Sequence, residues 1–209
     1  AETSARAAQN AKAAILSCRT YGSAVRKTLD EAFDKLGGIG SLVRGKTATI
    51  KLNLTGTNFT DYLGRPVGET YMTHYDTAAA LTAALFAAGA KRVRFVESTQ
   101  SRSKLEATLS LAGWDVNALN AMGTVEYENT RNLGSGKKYA HFKVPDGGRM
   151  FSTLELNQAY EDTDVMISLC KLKQHLTAGV TLAMKNLFGL TPNSLYGDKA
   201  GSEDATAGR

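Results

Sequence analysis

Hydrophobic spacing changes period repeatedly along the chain, and each change marks an element. Val25, Leu29, Phe33 and Leu36 recur at helical spacing, and Gly37-Gly38 supplies a stop, so a helix is predicted there. The stretch TATIKLNLTG is β-branched and nearly alternating, which predicts a strand. THYDTAAALTAALFAAGA carries Leu81, Leu85 and Phe86 along one face of an alanine-rich helix that Gly89 ends. KRVRFVEST predicts a strand with Glu97 at its carboxyl end. SRSKLEATLSLAGW predicts a helix capped by Ser101 or Ser103, with Glu106 in capping-box position relative to Ser103. In DVMISLCKLK, Val165, Ile167 and Leu169 alternate and predict a strand, and TAGVTLAMKNLFGL predicts a helix from near Val180 to near Gly189.

Shorter signals fill the gaps. The apolar run Ala13–Cys18 reads as a buried strand. GTVEYEN and KYAHFKVP read as strands joined by the turn NLGSGKK, a hairpin inserted in the fold, and FSTLELNQAYEDT as a short strand and helix. The alternation of strands and helices predicts an α/β fold, Rossmann-like, with a largely parallel sheet and helices on both faces. The organisation expected is a flexible N-terminal segment over 1–12, an α/β domain over 13–190 and a flexible polar tail over 191–209. Ligands of such sheets sit at the carboxyl ends of the strands. That places Lys51 and Asn53, then Glu97 and Ser98, then Lys171, Lys173 and His175 at the expected crevice.

Composition narrows the function classes. The chain has 209 residues and a formal charge of +5. Its basic residues are dispersed except at CKLKQH, and no aromatics interleave with that cluster, so a nucleic-acid groove is not expected. No apolar run is long enough to span a bilayer. Gly40–Thr47, GSLVRGKT, spells a phosphate loop, but its neighbours are predicted in the order helix, loop, strand. A phosphate loop needs strand, loop, helix, so the match is one of letters. The small polar start AETSARAAQNAKA resembles a mature terminus left by a signal peptidase; export to the periplasm is one expectation, a cytoplasmic chain the other.

The densest chemistry lies between Ser168 and Leu190. Three lysines (Lys171, Lys173, Lys185), His175, Asn186 and a helix start near Val180 suit a small anionic ligand such as a phosphate or carboxylate. A solvated basic turn is the bland alternative. Against it, Lys185 and Asn186 interrupt an apolar helical stretch, where polar groups require partners or a cavity. His175 is the candidate for proton transfer, with Lys173 beside it. A metal site from His74, Glu97 and His175 is possible in ligand type, though all three come from different elements. His74 is equally a capping or solvated residue. Cys170 beside Lys171 reads better as a buried structural thiol than as an activated one.

CKLKQHLTAGVTLAMKNLFGL resembles the signature of the domain-of-unknown-function 362 family of bacterial and archaeal proteins: Pro-Lys-x-Lys-x-His, then a Lys-Asn-x-x-Gly block. GKTATIKLNL and AAGAKRVRFVEST resemble two further segments of that family. Cys170 stands where the family usually has proline. The resemblance strengthens Lys51, Asn53, Glu97, Lys171, Lys173, His175, Lys185 and Asn186 as site positions and assigns none a role. Some members carry ferredoxin-like iron–sulfur segments; this chain has no cysteine run, so it would ligate no cluster alone. Members generally continue past the Lys-Asn block, which implies a C-terminal companion chain or a larger complex. Two readings follow: an α/β protein whose crevice binds a small anion or metal-bound cofactor, or a non-catalytic subunit of an assembly.

Overall fold

The computed structural model describes residues 11–100, 103–134 and 138–197. Helix α1 (Ser23–Lys35) ends as its sequence predicts: the Gly38 N–H donates to the Phe33 carbonyl at 2.8 Å and the Gly37 N–H to Asp34 at 3.0 Å. Both glycines have positive φ, the conformation this turn requires. A single turn, α2 (Gly40–Val43), leads to strand β1 (Thr47–Lys51), so GSLVRGKT lies between helix and strand in the order that excludes a phosphate loop. The next elements are α3 (Val67–Thr70), α4 (Tyr75–Ala87), β2 (Arg92–Glu97), α5 (Leu105–Leu111), α6 (Val116–Asn120) and β3 (Val125–Asn129). After them come β4 (Tyr139–Lys143), β5 (Thr153–Asn157), β6 (Val165–Ser168), β7 (Lys173–His175), β8 (Gly179–Thr181), α7 (Ala183–Leu187) and α8 (Asn193–Tyr196).

Four strands form one parallel sheet in the order β3-β2-β1-β6, a Rossmann-like α/β arrangement with β1 and β2 central. Alternation along β1 and β2 sends Ala48, Ile50, Val93 and Phe95 to one face, where they join Leu81 and Leu85 of α4, Leu109 of α5 and Trp114 in the main core. Phe95 meets the Trp114 ring edge-on at 5.3 Å. Thr47, Thr49, Lys51, Arg94 and Val96 belong to the opposite face by the same alternation. That face is covered by the β4–β5 hairpin, the 3₁₀ turn at 158–160 and α7. Val96 packs with Leu156, Ala159 and Tyr160 there, and the buried Arg94 guanidinium donates to the Ala159 and Asp162 carbonyls while pairing with Glu126 and Asp162.

Several expectations are corrected. Residues 13–18 form no strand: Ile15 is 97% exposed, because no neighbouring strand lies alongside to bury it. Helix α5 begins after Lys104 with no side-chain cap; Ser103 instead accepts from the Thr57 N–H, and Ser101 lies outside the described residues. The inserted hairpin exists, but its strands are β4 and β5 rather than GTVEYEN and KYAHFKVP. GTVEYEN joins the parallel sheet as β3, because Val125 and Tyr127 pack onto the core while Glu126 pairs with Arg92 and Arg94. The helix expected from Val180 starts only at Ala183; before it β7 and β8 form a tight antiparallel pair, turned by Gly179 at φ 73°. Of the segment expected to be a flexible tail, residues 193–196 form α8, held by a hydrogen bond between the Tyr139 and Ser194 hydroxyls and by the Glu155 N–H donating to Tyr196 Oη. Residues 1–10 and 198–209 lie outside the described residues, as do 135–137 of the predicted turn. Among the described residues no helix is long and apolar enough to cross a membrane.

Candidate functional site

In chain order the parallel strands are first, second, third and fourth, and the sheet order 3-2-1-4 puts a topological switch between β1 and β6. Chain leaving the carboxyl ends of these two strands diverges, and the crevice between them is where such folds hold ligands. A cleft of about 250 Å³ opens beside it, over the carboxyl ends of β1 and β2 and walled by the chain that follows β6; it is lined by Lys51, Asn53, Glu97, Ser98, Lys173, His175, Thr181, Lys185, Asn186 and Gly189 among others. Of the predicted site residues, the structure therefore brings together Lys51, Asn53, Glu97, Lys173, His175, Lys185 and Asn186.

The floor is a buried ion pair. Lys51, 2% exposed, donates from Nζ to Glu97 Oε1 at 2.5 Å and to the Leu52 carbonyl at 2.6 Å. Glu97 also accepts the Ser98 N–H at Oε1 (2.9 Å) and the Leu54 N–H at Oε2 (2.6 Å). With three donors on its oxygens, this carboxylate clamps the ends of β1 and β2 and fixes the lysine. Gly189 permits the approach from above, since a Cβ there would stand 3.3 Å from Lys51 Nζ.

The walls are polar and incompletely satisfied. Asn186, on α7, donates from Nδ2 to the Lys51 carbonyl (3.2 Å) and to Ser168 Oγ (3.1 Å). Those two acceptors set the amide's orientation, and its buried Oδ1 has no hydrogen-bond partner. Asn53 Oδ1, Thr181 Oγ1 and Lys173 Nζ, all in the same cleft, are likewise buried without partners. Lys173 Nζ lies 3.2 Å from the centre of the Tyr71 ring. Burial, with the neighbouring charges of Lys171, Lys185 and Lys51, pushes its pKa down to about 8, although Glu97 acts in the opposite sense. Lys185 reaches over the Phe188 ring at 4.7 Å.

His175 stands at the rim. Its Nδ1 faces the N–H groups of Thr177 (3.3 Å) and Ala178 (3.2 Å), closing the β7–β8 turn and leaving Nε2 to carry the ring proton. Desolvation and the nearby Lys185 and Lys173 hold its pKa below the ordinary histidine value.

Two predicted residues lie apart. Lys171 Nζ donates to Tyr21 Oη (2.8 Å) and the Gly68 carbonyl (3.3 Å), and Tyr21 stacks on His74 at 3.5 Å. His74 caps α4, its Nδ1 accepting the Asp76 N–H at 3.1 Å, and burial lowers its pKa. Tyr21 thus gathers His74 and Lys171 outside the cleft that holds Glu97 and His175; among the described residues no three His, Cys, Asp or Glu side chains are grouped to hold a metal ion. Cys18 and Cys170 are both free thiols, and burial raises the Cys170 pKa, against an activated thiolate. A larger hollow, about 550 Å³, lies over β2 and β3, but its Arg94, Glu126 and Asp162 are tied up in a network with Arg92, two arginines on two carboxylates.

Thr181 and Tyr71 are site residues that sequence reasoning missed. Thr181 was hidden by its place in an apparent helix. Tyr71 follows a long stretch, 56–70, that is irregular up to the single turn of α3, and irregular chain of that length after a strand is a signal of function.

A family model described as Domain of unknown function (DUF362) matches residues 49–203, a span that includes every lining residue of the cleft. No curated protein and no solved structure matches the chain.

Proposed function

The chain belongs to the DUF362 family, and for this member we propose that the cleft at the carboxyl ends of β1 and β2 binds a small phosphate-bearing ligand. The observation that carries this reading is the buried Lys173 ammonium, which has no acceptor, facing the same cleft as the orphaned Asn186 Oδ1. An ammonium out of water needs an anion, and an amide oxygen out of water needs a donor. A carboxylate supplies acceptors only. A phosphate group that keeps one proton supplies both, anionic oxygens and a P–OH; a monoester does so as its monoanion, which its second ionisation at about pH 6 leaves available near neutrality for the site to select. Lys173 and Lys185 take the anionic oxygens, while Asn186 and Thr181 meet a P–OH. Lys51 is already paired with Glu97 and contributes field rather than a free charge. His175, with its neutral form favoured, is the group for proton transfer at the rim.

Isothermal titration with inorganic phosphate tests this. The wild-type chain should bind, and Lys173→Ala and His175→Ala should lose binding while keeping their circular dichroism spectrum. Binding that survives both changes overturns the assignment.

A second reading, an accessory subunit of a larger assembly, is favoured by a different observation. The stretch that walls the cleft also exposes Leu172, Leu176, Val180, Leu182, Met184 and Phe188. Exposed apolar side chains so concentrated mark association surfaces.

A further inference from the structure

Beside the lysine cleft runs a second hollow of about 570 Å³, lined by Phe59, Tyr62, Tyr71, Lys173 and Leu176 together with uncharged polar groups. The two hollows share Tyr71 and Lys173, so they abut. They differ in chemistry. The first is lined by several cations; in the second Lys173, at the junction, is the single charged lining residue among those described.

The aromatic groups are arranged around that junction. Phe59 stacks on the Tyr71 ring with centroids 3.9 Å apart, and Lys173 Nζ lies 3.2 Å from the same ring. One face cannot hold both, so Tyr71 is sandwiched between them. Tyr62, by contrast, is exposed, as is Leu176 across the groove. Tyr62 is also held in place. It exchanges both backbone hydrogen bonds with Arg65 at 3.0 Å, across a two-residue turn in which Leu63 and Gly64 have φ of 51° and 71°. A leucine in the left-handed region is strained, and strain of this kind persists where the surroundings fix it. The turn fixes the backbone that carries the exposed Tyr62 beside a groove whose one charged lining residue, among those described, lies at the junction.

We infer that the ligand is bipartite: an anionic head in the lysine cleft joined to a flat, uncharged aromatic body that lies in the adjoining groove against Tyr62. This rests on the phosphate reading of the cleft and adds the ligand's second half. A polyanionic chain would leave charges in the groove unpaired. A ring gains stacking area on tyrosine beyond simple burial.

The test is a titration series with inorganic phosphate, n-butyl phosphate and phenyl phosphate. Phenyl phosphate should bind about ten-fold more tightly than inorganic phosphate, and more tightly than n-butyl phosphate. Tyr62→Ala should bring phenyl phosphate down to the level of n-butyl phosphate and leave inorganic phosphate unchanged. Lys173→Met should weaken all three. If inorganic phosphate binds but the phenyl group adds nothing, or Tyr62→Ala leaves the preference intact, the bipartite ligand is wrong and the lysine site stands. If none of the three binds, the phosphate reading fails and the inference falls with it.

Discussion

At the residue scale, Lys173 is a destabilising choice that a ligand would reverse. Its ammonium is withdrawn from water, rests on an aromatic face and has three other lysines near it. The folded-state pKa, about 8 against an ordinary 10.5, means that the unfolded chain holds the proton more tightly. Where the unfolded state binds more protons, stability rises with pH. This lysine therefore weakens the fold at neutral pH, and that penalty is relieved as pH climbs from about 8 towards 10.5. Lys173→Met should raise stability by an amount on the order of 1 kcal/mol, discounted for the residue's partial exposure, while weakening phosphate binding. Urea unfolding at pH 7 reads the first effect and titration the second; a variant that is less stable than wild type contradicts the description of Lys173 as uncompensated. The same pKa gives binding its own pH profile. Affinity for inorganic phosphate, which keeps a P–OH throughout this range, should decline as pH rises through about 8, when the ammonium loses its charge.

At the scale of elements, Glu97 is a clamp between strands rather than a reactive acid. It ties β2 to Lys51 on β1 and to the backbone beyond β1. Glu97→Gln leaves a buried ammonium without its counter-charge, so it should destabilise by about 3 kcal/mol. Lys51→Met combined with it should recover most of that loss, because the charge and its counterpart then leave together. An equal loss in single and double variants, followed by urea unfolding, would argue that Glu97 acts through its backbone contacts alone. Much of this scaffold is legible in the sequence. The 3.6-residue spacing in α1 and α4 and the alternation in β1, β2 and β6 each report a face that packs on one core. The illegible parts depend on partners distant in the chain. Ala13–Cys18 has strand composition but no strand beside it. GTVEYEN met a parallel neighbour more than two dozen residues upstream instead of the next strand candidate. LTAGVT reads as a helix start until Gly179 turns it back on Lys173 and His175. The site residues at strand ends followed from the fold class. Thr181 did not, because it depends on that turn, and Lys171 failed to reach the cleft because Tyr21 and the Gly68 carbonyl hold it elsewhere.

For the molecule as a whole, one segment serves both what the cleft takes in and what its outer wall displays. The segment from β7 to the residue after α7 turns Lys173, His175, Thr181 and Asn186 to the cleft, and it also carries Leu176 at 98%, Met184 at 88% and Phe188 at 75% exposure. A single apolar residue at a surface is ordinary, but these share one short stretch with Leu172, Val180 and Leu182. Burying them would remove apolar area from water at about 25 cal/mol per Å², enough to favour association if they meet one partner surface. The accessory-subunit reading therefore makes a demand that the ligand reading does not. The isolated chain should associate in sedimentation velocity runs as concentration rises, and the variant Leu176→Ser/Met184→Ser/Phe188→Ser should remain monomeric with an unchanged melting transition. None of the three residues lines the lysine cleft except Phe188 at its edge, so inorganic phosphate binding should persist in a Leu176→Ser/Met184→Ser variant. A wild-type chain that stays monomeric across the series removes the self-association that this apolar wall predicts. One that associates and still binds phosphate places both properties on the same segment, with the cleft at the edge of an interface.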